Sequence, residues 1–432
     1  MRVLYSLSFW VILSGSAAAA PAPTFSKDVA PILQHNCQGC HRPGEAAPMP
    51  LLTYQQARPW AKAMKEAVLL KKMPPWPADP QVGHFSNDRS LPAKDRDTLI
   101  AWVDGGAPEG NPKDLPQPAA WVDGWNIGKP DRIIEMPAPF DVPASGTIEY
   151  QYVILPLNLT EDRWIQAAEA RPGNRAVVHH IIAFIRDPGS KWMRDKPYGE
   201  VFVPRNAKGD VQGFSGDILA GFAPGVPPSR LEPGTARLVK AGSDVVFQLH
   251  YTANGKAAQD QTKVGFIFAK EPPKERVLTL AAANTKFTIP AGDPDYKVDS
   301  DLELAHDVKL VSMLPHMHLR GKDFEYRLIF PTGETQAILR VPRYDFGWQL
   351  SYDVAGGGMT LPKGTRIACT AHFDNSPNNP ANPDPTKEVK WGDQSWDEMM
   401  IGFLEVAIPA DMDPKLILPE KKPQRKTSDN GN

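Results

Sequence analysis

MLPHMHLRGK, residues 313–322, places His316 and His318 two positions apart inside an apolar run. On a strand, residues two apart project from one face. Such a pair chelates with little ordering cost. Two related settings lie upstream: VVHHIIAFI (177–185) holds His179 and His180, and FQLHYTANG (247–255) holds His250. Each is rich in Val, Ile, Phe and Leu, as strands are. Taken singly, each of these five histidines reads as an ordinary core or surface residue. Taken together, the three settings read as a metal-binding framework. His179 and His180 are adjacent and point to opposite faces unless local twist or a bulge turns one of them. Imidazole serves zinc, copper, iron and nickel alike, whereas a thioether selects copper. The stretch WGDQSWDEMMIGF (391–403) offers Met399 and Met400.

The rest of the composition frames this reading. With 432 residues the chain is too long for one ordinary core, so two or three domains are expected. Its 45 prolines are about twice the usual share of roughly 5%, which favours short strands and stiff loops over long helices. A net charge of −2 gives no reason to expect a nucleic-acid partner. Residues 1–20 read as a secretory signal: Arg2, an apolar run from Val3 to Leu13, then small residues to Ala20. That run is too short to span a bilayer, no later stretch approaches 18 apolar residues, and no cysteine follows it to carry a lipid. A soluble periplasmic or secreted protein without a membrane span is expected.

The other chemical stretch is HNCQGCH, residues 35–41. C-x-x-C-H is the attachment pattern of a c-type haem. Cys37 and Cys40 would add to the vinyl groups, and His41 would ligate the iron. A disulfide, a redox dithiol and half a zinc site compete with this. No second C-x-x-C completes a zinc site, and no βαβ context supports a thioredoxin-like dithiol. The sixth ligand would come from Met49, Met64, Met73 or His84. Met73, in KKMPPWP (71–77), follows a helical stretch read over Tyr54–Lys72 and is the preferred candidate, with ordinary core packing as its rival. Phe25, Val29, Ile32 and Leu33 recur at helical spacing ahead of the motif. A further helix is read in SLPAKDRDTLIAWVDGGAPEG (90–110), with Ser90 as cap, Pro92 in the first turn and Gly105 as stop. Residues 24–112 resemble the small cytochromes c.

The order HH, Q-x-H-Y, H-x-H and D-E-M resembles the type II copper monooxygenases, the family of peptidylglycine alpha-hydroxylating and dopamine beta-monooxygenases. The resemblance covers roughly residues 140 to 410. It implies one copper on His179, His180 and His250, and a second, catalytic copper on His316, His318 and Met399. It also implies two consecutive all-β antiparallel sandwiches of jelly-roll type. The fold expected is a small all-α cytochrome c domain (24–112), a linker (113–138) and two copper sandwiches (139–270 and 275–412), with EPPKER (271–276) as hinge. Residues 413–432 are expected to be a disordered tail.

Departures narrow the substrate. Animal members carry several disulfides, whereas the remaining cysteine here is Cys369, which alternation places on an apolar strand face as an inert thiol. The peptide-acting member has Arg two residues before H-x-H and Tyr four after the methionine. Leu314 and Phe403 stand there instead, which disfavours a peptide-carboxylate clamp and suits an apolar substrate. Gln248 shares a face with His250, as support for the site or as a sheet pairing. His372 reads as a polar-face residue and His306 as a surface residue.

The resemblance implies hydroxylation of a C–H bond by O2 and two electrons. An external donor, a cytochrome or a small reductant, would feed the haem. The haem would feed the three-histidine copper, and O2 and the small-molecule substrate would meet at the second copper. Two other readings stay open: a haem and copper electron-transfer or copper-binding protein without hydroxylase activity, and a zinc-bound binding sandwich.

Overall fold

The computed structural model describes residues 22–45, 47–122, 124–205, 213, 215–224 and 226–419. The signal segment 1–20 and most of the tail, 420–432, lie outside the described residues. The chain is mostly β-sheet with a few short helices, in keeping with a β-sandwich. None of the described helices is long and apolar enough to cross a membrane.

The helices all precede Arg132 apart from isolated single turns. A π-turn, Phe25–Val29, runs into the α-helix Ala30–Asn36, which delivers the cysteine motif. The second helical stretch is broken into Tyr54–Ala57, Arg58–Trp60 and Ala61–Leu69, with Pro59 at the break. The third helix is Ala93–Asp104. Its cap position is Pro92, not Ser90: the proline ring pre-sets the turn without a side-chain cap. Gly105 does end it, and Gly106 takes the left-handed conformation (φ 89°) that a Cβ disfavours. Phe25, Leu33, Leu51, Val68, Leu99 and Trp102 close a separate hydrophobic cluster.

The loop from Trp76 to Asn87 leaves that cluster and packs on the strands from residue 275 onward, here the second β half, those from 132 to 268 being the first. Trp76, Phe85 and Tyr352 pack ring to ring at 4.9–6.0 Å. The Ser86 amide donates to the Asp353 carbonyl, and Ala78 joins the second-half core. The segment 24–112 is therefore not self-contained.

Three large sheets and two two-stranded ones carry the remainder. The largest has ten strands, in the order 132–135, 263–268, 163–171, 235–239, 275–283, 401–409, 308–316 and 352–353, with two short strands attached to its sides. The five-stranded sheet runs 201–202, 151–156, 244–251, 178–186, 217–222. The four-stranded sheet runs 296–303, 366–373, 321–329, 335–341. The pairings in these sheets are antiparallel, with one exception among the described strand pairs. Glu275 and Arg276 run parallel to Thr235 and Ala236. That contact joins the two halves edge to edge, so Glu275 and Arg276, read as hinge, are strand residues.

Each half has its own core. Val153, Ile165, Ile181, Phe247, Val264 and Phe266 fill the first. Leu310, Met313, Phe324, Ile367, Phe373 and Leu404 fill the second. The strand Asp244–Tyr251 is buried along its whole length, because Tyr152, Phe184, Val246 and Met193 form a further cluster on the other face of its sheet. Both-sided burial explains why its sequence does not alternate. Two expectations on boundaries shift. Arg132–Glu135, inside the stretch read as linker, is a strand paired with Lys263–Phe266. Ile417, inside the stretch read as tail, is fully buried, and its carbonyl accepts from the Ala305 amide.

Candidate metal centre

The strand Val178–Arg186 pairs with Asp244–Tyr251 in register until the last rung. His180 lies opposite His250, but Tyr251 lies opposite Val178, so His179 is the extra residue of a bulge. The bulge turns His179 toward the side that His180 and His250 already share. The two Nδ1 atoms of His179 and His180 approach to 3.2 Å. One ligand atom from each of the three histidines falls within 4.8 Å of the others.

Hydrogen bonds select the free ring nitrogens. His250 Nε2 and Ser395 Oγ share a hydrogen bond at 3.3 Å, and His250 Nδ1 is buried and without a partner. The pattern is that of a ligand whose second nitrogen is held by an outer group. Burial, reinforced by the neighbouring imidazoles, depresses the pKa of His180 and His250 well below the usual histidine value. Burial also lowers that of His179. All three are neutral near pH 7 and carry the lone pairs a metal needs.

The second group forms where the strand Val308–His316 ends. The rings of His316 and His318 stand 5.2 Å apart at 89°. His316 donates from Nδ1 to Gln349 Oε1 at 2.9 Å, and His318 from Nδ1 to the Asp397 carbonyl at 3.2 Å. His318 Nε2 is then buried and unpartnered. Both rings are kept neutral by burial. The register sets His316 opposite Ile401. Met399, two residues before Ile401, is buried in a cluster with Phe403, Leu314, Ile218 and Trp391, between the halves. Met400 belongs to the second-half core instead. The side chains of the adjacent pair thus divide, and Met399 joins the cluster of Phe403, whose ring lies 6.1 Å from that of His316.

Glu398 braces this group from beneath. Its carboxylate accepts the backbone amides of His318 at 2.9 Å and Arg320 at 2.6 Å. Burial still pushes its pKa up to about 8. No single-sequence signal marks Glu398, Ser395, Gln349 or Phe346 for these roles. Phe346 stacks on His179 at 5.1 Å and lies 5.8 Å from His318, so one phenyl ring touches both groups.

The remaining candidates fall elsewhere. Gln248 hydrogen-bonds Tyr152 Oη within the sheet, which is the structural role of the two it was given. His372 pairs with Asp323 at 2.7 Å, and His306 is exposed with its ring against the Asp307 carbonyl. Cys369 is buried beneath Gly402, and burial raises its pKa, as an inert thiol requires.

At the N-terminal motif, Cys37 and Cys40 are free thiols on one turn, and His41 donates from Nδ1 to the Met49 carbonyl at 3.1 Å. His41 Nε2 takes no part in that bond. Burial and the neighbouring Cys40 push the Cys37 thiol up to about 12, and burial raises Cys40. A redox dithiol needs a lowered pKa, so this environment disfavours that reading. A cavity of about 460 Å³ opens beside Cys40, between the motif and the first β half. Met64 is packed into the helical core, His84 is exposed, and Met49 and Met73 are half-buried.

A second cavity, of about 440 Å³, lies between the halves, with Ile218, Val226, Val277, Val311, Leu314 and Phe403 among its walls. Arg237 crosses beneath it, pairing with Asp217 of the first half and at 2.6 Å with Glu405 of the second. Burial opposes its charge, but the two carboxylates outweigh burial and raise its pKa.

No known family model matches the chain, and no curated protein does. Solved structures with some likeness include that of the infectious bursal disease virus Gt strain, at 11% identity and a TM-score of 0.18, covering 70% of this chain and 78% of that one. Another is Broad Bean Stain Virus, at 6% identity and a TM-score of 0.26, covering 61% and 76%. At such scores the likeness carries no argument about fold or function.

Proposed function

We propose that the chain is a copper-dependent monooxygenase of the type II class, working outside the cytoplasm with a c-type haem as built-in electron donor. The carrying observation is the pair of buried imidazole groups, each ending in an orphaned ring nitrogen: His250 Nδ1 in one and His318 Nε2 in the other. An unpaired buried nitrogen costs about 1–3 kcal/mol, which a bound metal would remove.

The donor sets fit copper. His179, His180 and His250 offer three nitrogens, and His316 and His318 with the Met399 thioether offer a softer set that zinc does not favour. Cys37, Cys40 and His41 fit a covalent haem, with Met73 as candidate sixth ligand. The small all-α cytochrome region and the division into two copper sandwiches belong to this reading. When bound, the metals would supply electron storage and O2 activation. The net reaction is R–H + O2 + 2e⁻ + 2H⁺ → R–OH + H2O.

The chain's own residues do the rest. Ser395, Gln349 and Asp397 fix ring orientation. Phe346 and the burial of His180, His250 and His318 keep bulk water out. The cavity walls at Leu314 and Phe403 receive an apolar part of a small substrate, and Arg237 neutralises the two carboxylates beneath them. The test is O2 uptake by copper-loaded, haem-loaded protein with a panel of small apolar substrates and ascorbate as reductant. Hydroxylated product in step with O2 supports the reading. Full copper loading with no product from any substrate moves the assignment to an electron-transfer or copper-binding protein.

A further inference from the structure

The loop 391–398 reaches both imidazole groups. It is closed at its base, where Gly392 N donates to the Glu398 carbonyl and Glu398 N to the Lys390 carbonyl. A Cβ at Gly392 would sit 2.2 Å from Asp397 Oδ2 and 2.7 Å from its Cβ, so a larger residue there would displace the Asp397 side chain. From this frame Gln394 Oε1 accepts the Tyr150 amide of the first half at 3.2 Å. Tyr150 packs its ring 4.6 Å from that of His250 and 5.4 Å from that of His180. Ser395 meets His250, and two residues on Asp397 meets His318. Phe346, from a second loop of the same half, adds the ring contact with His179.

We propose that Ser395 is a positioning residue for the three-histidine site, and that through the loop 391–398 the two sites load metal as a coupled pair. This rests on both imidazole groups being metal sites. The physical reason is tautomer and orientation. Ser395 Oγ accepts the Nε2 proton of His250 and so presents Nδ1 as the ligand. The Ser395 position is set by the same closed loop that the His318 ring holds through Asp397. Ordering one ring by a metal therefore orders the support of the other, and by linkage the effect is reciprocal.

The experiment uses full-length, haem-loaded protein stripped of copper. Cu(II) alone is titrated against a competing chelator, with electron paramagnetic resonance to separate the two sites. The proteins are wild type, Ser395→Ala, Ser395→Thr, His316→Ala and the Ser395→Ala/His316→Ala double variant. The expected result is a three- to tenfold weaker three-histidine site in Ser395→Ala with a changed spectrum, restored in Ser395→Thr, which keeps the hydroxyl. His316→Ala should weaken the three-histidine site by a similar factor, and add less than twofold on top of Ser395→Ala. Haem absorbance and thermal unfolding confirm that each variant is folded. If copper fills both wild-type sites while His316→Ala leaves the three-histidine affinity within twofold and Ser395→Ala leaves the spectrum unchanged, the coupling is overturned alone. If wild type takes up no copper at His179, His180 and His250, the metal reading falls and the coupling with it.

Discussion

The two imidazole groups are built in opposite ways. The first sits on two neighbouring strands inside a sheet buried on both faces, with its geometry set by one bulge at His179. The second sits where a strand runs out, and loops supply its braces and, on the proposed reading, the Met399 thioether. The outer hydrogen bonds described for both groups, from Ser395, Gln349, Asp397 and Glu398, come from second-half loops. A site locked into paired strands suits a constant coordination. A site at a strand end with a long, flexible thioether suits one that must open a position for a reactant. On the proposed copper reading, the difference would give electron storage to the first group and the reaction to the second.

The strongest way to break that contrast is to remove the donor that distinguishes the groups. Met399→Ala is expected to lower product formation at least about 100-fold, since even residues that merely support a ligand typically cost 10–100-fold. Haem incorporation, read from absorbance, should be unchanged. Full activity in this variant would sink the assignment of the second site. Cys37→Ser separates the donor from the chemistry. Turnover with a cytochrome donor should stop, while turnover with ascorbate persists. Equal loss with both would make the haem structural.

The seam between the halves offers a smaller effect. Arg237→Leu removes the buried cation that bridges Asp217 and Glu405, and should destabilise the fold by about 3 kcal/mol in chemical denaturation. A loss under about 0.5 kcal/mol would mean the seam carries no weight. Gly402→Ala places a Cβ 2.5 Å from Cys369 Sγ and 3.0 Å from the Tyr326 ring, for a cost of about 1–3 kcal/mol. Unchanged stability there would show that the strand bearing Phe403 shifts freely.

Asp393 gives the smallest effect and a pH signature. Burial, then the charge of Asp397, pushes its pKa up to about 6. A raised pKa means that the folded state favours the proton. The cost of the charged form is absent below the unfolded value near 4, and grows as pH rises through about 6. Asp393→Asn should therefore raise stability by about 1–2 kcal/mol at pH 8 and leave it unchanged at pH 4. A gain of equal size at both pH values would rule out titration of Asp393 as its source.

Much of the second group was legible because the H-x-H spacing has a direct geometric meaning on a strand. The first was less so. His179 and His180 conflict with strand alternation, and the bulge that resolves the conflict depends on register against a strand about seventy residues away. No local pattern encodes that register. Met399 and Met400 are equivalent in sequence, and the side each faces is set by packing against Leu314 and Phe403 on one hand and the second-half core on the other. Ser395 and Phe346 were illegible for a related reason. A loop serine and a loop phenylalanine acquire a role only from what the other half brings against them. The parallel contact at Glu275 and Arg276 was hidden too, because a proline-rich hinge and a strand that starts just after prolines look alike. By contrast, the helix before C-x-x-C-H and the helix Ala93–Asp104 followed the apolar spacing, since local periodicity decides them, whereas the stretch read as one helix over Tyr54–Lys72 breaks at Pro59 and ends at Leu69.

Metal content separates a copper protein from the alternatives most directly. Copper per haem should be measured by elemental analysis on protein matured in a periplasm and reloaded with copper. A ratio near two is expected, falling by about one in His180→Ala and by about one in His316→Ala. A ratio near zero, or zinc held tightly in place of copper, would contradict the copper reading.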